Sequence, residues 1–202
     1  MLKAGVFIIE SLSLEDEEEK RFEGKIITEM LRMLDVEVNY KYIRTKEELK
    51  VMIKKFEESD FRYLHLSCHG NETGIGMTLD EYSFPFSEFS DMFEYENRHQ
   101  RLFLSSCSAM NGDQIVTGMS ETKFKSITGP LEEIRFTDSA AFWTSFYHLM
   151  FRDDEVIKNR KLKDALEKLS NTFEVQMSAL ISDKKGESYK RKDFGRELKL
   201  YM

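Results

Sequence analysis

Two short runs carry the residues able to do chemistry. The first, Arg62-Tyr-Leu-His-Leu-Ser-Cys-His69-Gly70, is strand-like and ends abruptly in His-Gly. The second, Arg101-Leu-Phe-Leu-Ser-Ser-Cys107-Ser, has the same character and ends in a cysteine. A thiol needs a neighbouring base or cation to act as a nucleophile at neutral pH. Histidine, with an ordinary pKa of about 6.5, is the natural base. Strand alternation places His65, Ser67 and His69 on one face, with Cys68 opposite, and likewise groups Phe103, Ser105 and Cys107. Cys68 is therefore expected in the core, and Cys107 as the nucleophile. Gly70 follows the candidate base directly. Without a side chain it lets a carbonyl approach the backbone, and the N–H groups of Gly70 and Cys107 could hold an oxyanion. A plain strand-exit turn would explain the same glycine.

The surrounding elements decide whether the two runs can meet. Gly5-Val-Phe-Ile-Ile9 reads as a buried strand. Ser13 stands before an acidic run, Glu15 to Glu19, which suits a capped helix start with a solvated acidic face. One helix is expected to continue through Phe22, Ile26, Ile27, Met30, Leu31 and Leu34. Val36 to Ile43 alternates as a strand, and Thr45 with Glu48 forms a capping box for the next helix. After Gly70, Met77 to Phe84 reads as a small hairpin and Ser87 as the cap of a short helix. Ser108 to Lys123 reads as a polar surface loop, open to ordering by a partner or substrate, and Phe124 to Thr128 as a fifth strand. Ala140 to Phe151 is helical, and a long helix is expected from Asp154 to Ser182, before a basic tail from Lys184 to Lys199. The expected organisation is one domain over the whole chain, with residues 153–202 a C-terminal helix and tail. Strands alternating with helices predict an α/β fold with a mostly parallel sheet. In such sheets, functional groups gather beyond the carboxyl ends of the strands, where His69 and Cys107 both fall.

Composition narrows the function classes. The 202 residues are 41% hydrophobic with 16 Phe, enough for a sizeable core. The net charge of -7 makes nucleic acid a poor partner. Two cysteines cannot build a disulfide framework, and the N-terminal apolar run is too short for a secretory signal. No run reaches the length of a membrane span, so a cytoplasmic protein with reduced thiols and no membrane partner is expected. A zinc site from His65, Cys68, His69 and Cys107 would lack any Cys-x-x-Cys spacing, so no metal is expected. Gly74-Ile-Gly76 has no helix following where a dinucleotide fingerprint needs one, so no cofactor is expected. His65 and His148 read as packing or supporting residues, and His99 as solvated.

Taken in order, His69-Gly70, the Ser-Cys107 run, Ile127-Thr-Gly-Pro130 and Asp138-Ser-Ala-Ala-Phe-Trp-Thr-Ser-Phe-Tyr147 resemble the CHAT branch of the caspase-like cysteine peptidases, clan CD. The likeness runs from residue 5 to residue 152. It implies a caspase-like three-layer sandwich, His69 as general base and acid, Cys107 as nucleophile, and a protein or peptide substrate. The Gln-Ala-Cys-x-Gly signature of animal caspases is replaced by Ser105-Ser106-Cys107-Ser108-Ala109, so aspartate specificity is not implied. Asp113 and Asp138 are the carboxylates that could receive an Arg or Lys at P1. Repeat arrays or sensor domains that accompany many relatives are missing from the sequence, which points to a latent site and a separate regulatory protein. Bacterial defence or stress response is the setting the resemblance suggests. Lys123-Phe-Lys125 and Lys184-Lys185 are candidate processing sites if P1 is basic. The rival expectations are a non-catalytic scaffold of the same fold that binds a partner and an α/β signalling or nucleotide-binding domain of flavodoxin-like shape.

Overall fold

The computed structural model describes residues 2–152, 156–183 and 188–195. Its strands are β1 (Lys3–Glu10), β2 (Glu37–Tyr42), β3 (Phe61–Ser67), β4 (His69–Gly70), β5 (Gly74–Gly76), β6 (Phe84–Pro85), β7 (Arg101–Ser105), β8 (Ser126–Pro130), β9 (Met177–Ser182) and β10 (Tyr189–Phe194). The helices are α1 (Leu14–Glu18), α2 (Glu23–Met33), α3 (Lys46–Glu57), α4 (Phe86–Ser90), α5 (Gln114–Gly118), α6 (Phe136–Phe151) and α7 (Asn159–Phe173).

Seven strands form one sheet in the order β10-β9-β8-β7-β3-β1-β2. The five from β8 to β2 run parallel, and β9 and β10 add antiparallel pairs at one edge. Strands of the middle of the sheet are buried on both faces, which is why they read as nearly continuous apolar runs. On one face Val6, Ile8, Tyr63 and Phe103 pack under α2, α6 and α7. On the other, Phe7, Leu64, Leu66 and Leu104 pack under α3, α4 and α5. The result is the α/β fold with a mostly parallel central sheet that the alternation of elements predicted, with helices on both faces making three layers. β4, β5 and β6 form a separate small sheet. The chain therefore leaves the large sheet after Ser67 and enters the small one at His69.

Three expectations about elements are corrected. The first helix is broken in two: Lys20 adopts a left-handed backbone with φ 60°, and α2 restarts at Glu23. No side chain caps α2 at Phe22; instead the Glu10 carboxylate accepts the Gly24 N–H at 2.7 Å, reaching it from the end of β1. A Cβ at Gly24 would fall 2.8 Å from the Tyr40 ring and 3.1 Å from that carboxylate, so only glycine permits the approach. The stretch after Cys107 is not a loose loop. It contains α5 and a 3-10 turn at Ser120–Thr122, and Met110, Ile115 and Met119 are fully buried.

The third correction lies at the C-terminus. The long helix ends at Phe173, where Glu174 turns left-handed with φ 55°, and Met177–Ser182 becomes a strand paired with β8. Met177 and Ile181 match helical spacing, but a separation of four is also a multiple of two, so a strand satisfies it equally. The following segment is edge strand β10 where it is described, not a free tail. The expected helix start at Asp154, the Lys184-Lys185 pair and the end of the basic tail lie outside the described residues. His148, expected as a packing residue, is exposed on α6, whereas His65 is fully buried.

Glu10 gives the fold a measurable pH signature. Burial pushes its carboxyl up to about 7, against the hydrogen bonds from Tyr40 and Gly24 that favour the ionised form. Between the ordinary value of 4.5 and about 7 the folded protein binds the proton more tightly than the unfolded chain. Stability is therefore lost as pH rises through that window, by about 3 kcal/mol for this group. The urea midpoint of wild type should fall relative to that of Glu10→Gln between pH 4.5 and pH 8. Parallel midpoints for the two proteins would refute the assignment.

Candidate active site

The site begins with strand register. β3 and β7 are adjacent and parallel, with Ser67 opposite Ser105 at their carboxyl ends. The Cys68 N–H donates to the Ser105 carbonyl at 3.0 Å, so the pairing holds up to the point where the strands part. His69 and Cys107 each stand two residues beyond the Ser67–Ser105 pair. Both line one cavity of about 240 Å³, with Leu12, Glu23, Ile134 and Phe136 among the other lining residues. The sequence expectation that these two residues share one edge of the sheet is met.

His69 is exposed, and its Nε2 lies 2.7 Å from Asp16 Oδ2. Asp16 is itself 7% exposed, although it belongs to the acidic run expected as a solvated face. Ser13 caps α1 by accepting the Asp16 N–H and donates its hydroxyl to Oδ2 at 2.6 Å. Arg21 donates to Oδ1 at 3.0 Å. Burial acts to raise the Asp16 carboxyl, but the bonds from Ser13, His69 and Arg21 prevail and hold it at about 2. Helix α1 is anchored by its next residue: Glu17 accepts from Tyr42 Oη and from Arg44, whose Nε lies 2.9 Å away. The break at Lys20 lets one acidic segment serve two purposes. It turns Asp16 to His69 and, through α2, Glu23 into the cavity wall.

Cys107 is half-buried, with Sγ 3.8 Å from the Ile134 carbonyl. Cys68 also borders the cavity but is buried in the apolar layer of the opposite face, and burial pushes its thiol up to about 12. The parity argument that removed Cys68 from candidacy is consistent with that placement. Gly70 is enforced by close approach: a Cβ there would sit 2.2 Å from Ser106 Oγ and 2.7 Å from the Gly74 carbonyl. The Asn71 N–H donates to the Gly74 carbonyl. Alternation of antiparallel ladder bonds then makes Gly70 opposite Ile75 a non-bonded pair, with its N–H turned away from β5.

Beneath the cavity lies a buried polar chain. Ser105 Oγ donates to Glu23 Oε2 at 3.0 Å and lies 2.8 Å from Ser139 Oγ. His65 Nε2 is 3.5 Å from Glu23 Oε1, and its Nδ1 is 3.0 Å from Tyr147 Oη. Neither acidic residue expected at P1 lines the cavity. Asp113 is exposed at the start of α5, and Asp138 lies in the first turn of α6, one residue before Ser139, which does line it. The carboxylates on the wall are Asp16 and Glu23, which sequence reasoning passed over. Ser13 as a cap was readable, but no local pattern announces a contact between residues 53 positions apart. Among the described residues, no group of three or more His, Cys, Asp or Glu is arranged to hold a metal ion. Among them, too, no helix is long and apolar enough to cross a membrane.

No protein-family model matches the chain, and no curated protein matches it.

The two thiols should differ sharply in reactivity. Iodoacetamide at pH 8 should alkylate Cys107 and leave Cys68 unmodified in the folded protein, as read by peptide mass mapping. Equal modification of both would show that the burial assigned to Cys68 is wrong.

Proposed function

We propose that the chain is a cysteine endopeptidase acting through Cys107 and His69. The observation that carries this reading is the shared cavity beyond the Ser67–Ser105 pair, on which an accessible thiol and an imidazole both open. Cys107 loses its proton to His69 and attacks the scissile carbonyl. The N–H groups of Gly70 and Cys107 receive the oxyanion. His69 then gives its proton to the leaving amine, and a thioester remains on Cys107. Water, deprotonated by His69, hydrolyses the thioester and restores the thiol. No step calls for a metal or cofactor.

The walls of the cavity also inform specificity. Leu12, Ile134 and Phe136 supply apolar surface for an aliphatic stem, and Glu23 supplies a carboxylate. Arg21, the cation on the same wall, is already paired with Asp16 and Glu19. This balance favours Arg or Lys at P1 and moves the recognition role from Asp113 and Asp138 to Glu23. Cleavage at Lys123-Phe-Lys125 would need local unfolding, because Phe124 between the lysines is fully buried. A separate activating protein and a bacterial defence or stress setting remain proposals that rest on the family resemblance.

The test is cleavage of a peptide library varied at P1, with wild type and two variants. Wild type should favour Arg and Lys. Cys107→Ala should abolish turnover, and His69→Ala should lower it by roughly 100- to 10,000-fold. Full activity in Cys107→Ala would overturn the nucleophile, and strict cleavage after Asp or apolar residues would overturn the assignment of Glu23.

A further inference from the structure

The acidic residue beside His69 does more than neutralise charge. A carboxylate held ionised has only acceptor capacity, so the ring nitrogen facing it must carry a proton. That nitrogen is Nε2, at 2.7 Å from Asp16 Oδ2. The neutral imidazole then has its lone pair on Nδ1, and Nδ1 is the atom left to serve the thiol. Asp16 cannot easily swing away, because Ser13 and Arg21 hold its two oxygens and the carboxylate is nearly buried. The exposed imidazole has no comparable packing of its own. Its orientation is therefore set by this bond.

We propose that Asp16 is the positioning residue of the site: it fixes His69 in the Nε2–H tautomer and stabilises the imidazolium that forms when Nδ1 takes the Cys107 proton. This deepens the peptidase reading above and rests on it for its catalytic consequence. The proton moves from Sγ to Nδ1, then from Nδ1 to the leaving amine. Asp16 remains ionised throughout, and the imidazolium is the species it favours. The arrangement makes the site a Cys-His-Asp triad whose acidic member comes from the first helix, ahead of both partners in the chain.

Asp16 faces His69 from β4 and Arg21 from the segment before α2, with the Ser13 hydroxyl beside it at the start of α1; Arg21 in turn faces Glu19 and Glu15. Replacing it with Asn preserves shape while removing the charge. Asp16→Asn should lower kcat by roughly 10- to 100-fold with KM little changed. Loss of the anion makes the imidazolium less favourable, so the acid limb of the kcat profile should move to lower pH. A role confined to holding α1 in place would lower activity without moving that limb.

Long-range proton–nitrogen NMR on histidine-labelled protein, with His69→Ala for assignment, reads the tautomer independently of peptidase activity. Wild type should show His69 as Nε2–H, and Asp16→Asn should lose that single tautomer. An Nδ1–H tautomer in wild type would overturn the proposal, even if the variant failed to fold. So would a folded Asp16→Asn with an unchanged tautomer and pH limb. If the tautomer behaves as expected while wild type cleaves no peptide, the positioning role stands and the peptidase reading falls.

Discussion

The parallel pairing of β3 with β7 is the constraint on which the site depends. Register in a sheet is set by which faces are buried, and a slip of one residue would reverse every side chain. Here both strands are buried on both faces, packed by Tyr63 and Phe103 on one side and by Leu64, Leu66, Leu102 and Leu104 on the other. The apolar layers thus lock Ser67 against Ser105, and His69 and Cys107 follow two residues later. A histidine and a cysteine far apart in the chain are thereby brought to one edge of the sheet.

A second layer of order is polar. Glu10, Glu23, His65 and Arg101 are all buried, which costs free energy unless each is matched. Most are: Glu10 by Gly24 and Tyr40, Arg101 by Ser126, Asn159 and the Ile157 carbonyl. Glu23 Oε1 and His65 Nε2 are the exception, with no partner at hydrogen-bonding distance among the described residues. Glu23 lines the cavity and accepts from Ser105, two residues before Cys107, and His65 lies behind it.

Much of the frame was legible because it follows from period and turn chemistry. The strands that carry His69 and Cys107, the Thr45 capping box and the α/β alternation all declare themselves within a few residues. What was not legible depends on distant contacts. Lys20 breaks a helix whose apolar stripe looked continuous, and no Gly or Pro marks the break. Met110, Ile115 and Met119 anchor a segment that looks polar in isolation. Asp16 resembles its acidic neighbours and differs only in what the fold sets opposite it. His69 and Cys107, drawn from strand ends, came to one cavity, whereas Gly70, Asp113 and Asp138 are not among the residues that line it.

The central claim is that Cys107 is a base-activated nucleophile in a site that binds peptide. A peptidyl electrophile with Arg at P1 and a thiol-reactive acyloxymethyl ketone group tests it most directly. Intact mass and peptide mapping should find one label, on Cys107, formed far faster in wild type than in His69→Ala and blocked by competing peptide. Labelling no faster than that of free cysteine, or label shared with Cys68, would contradict the claim.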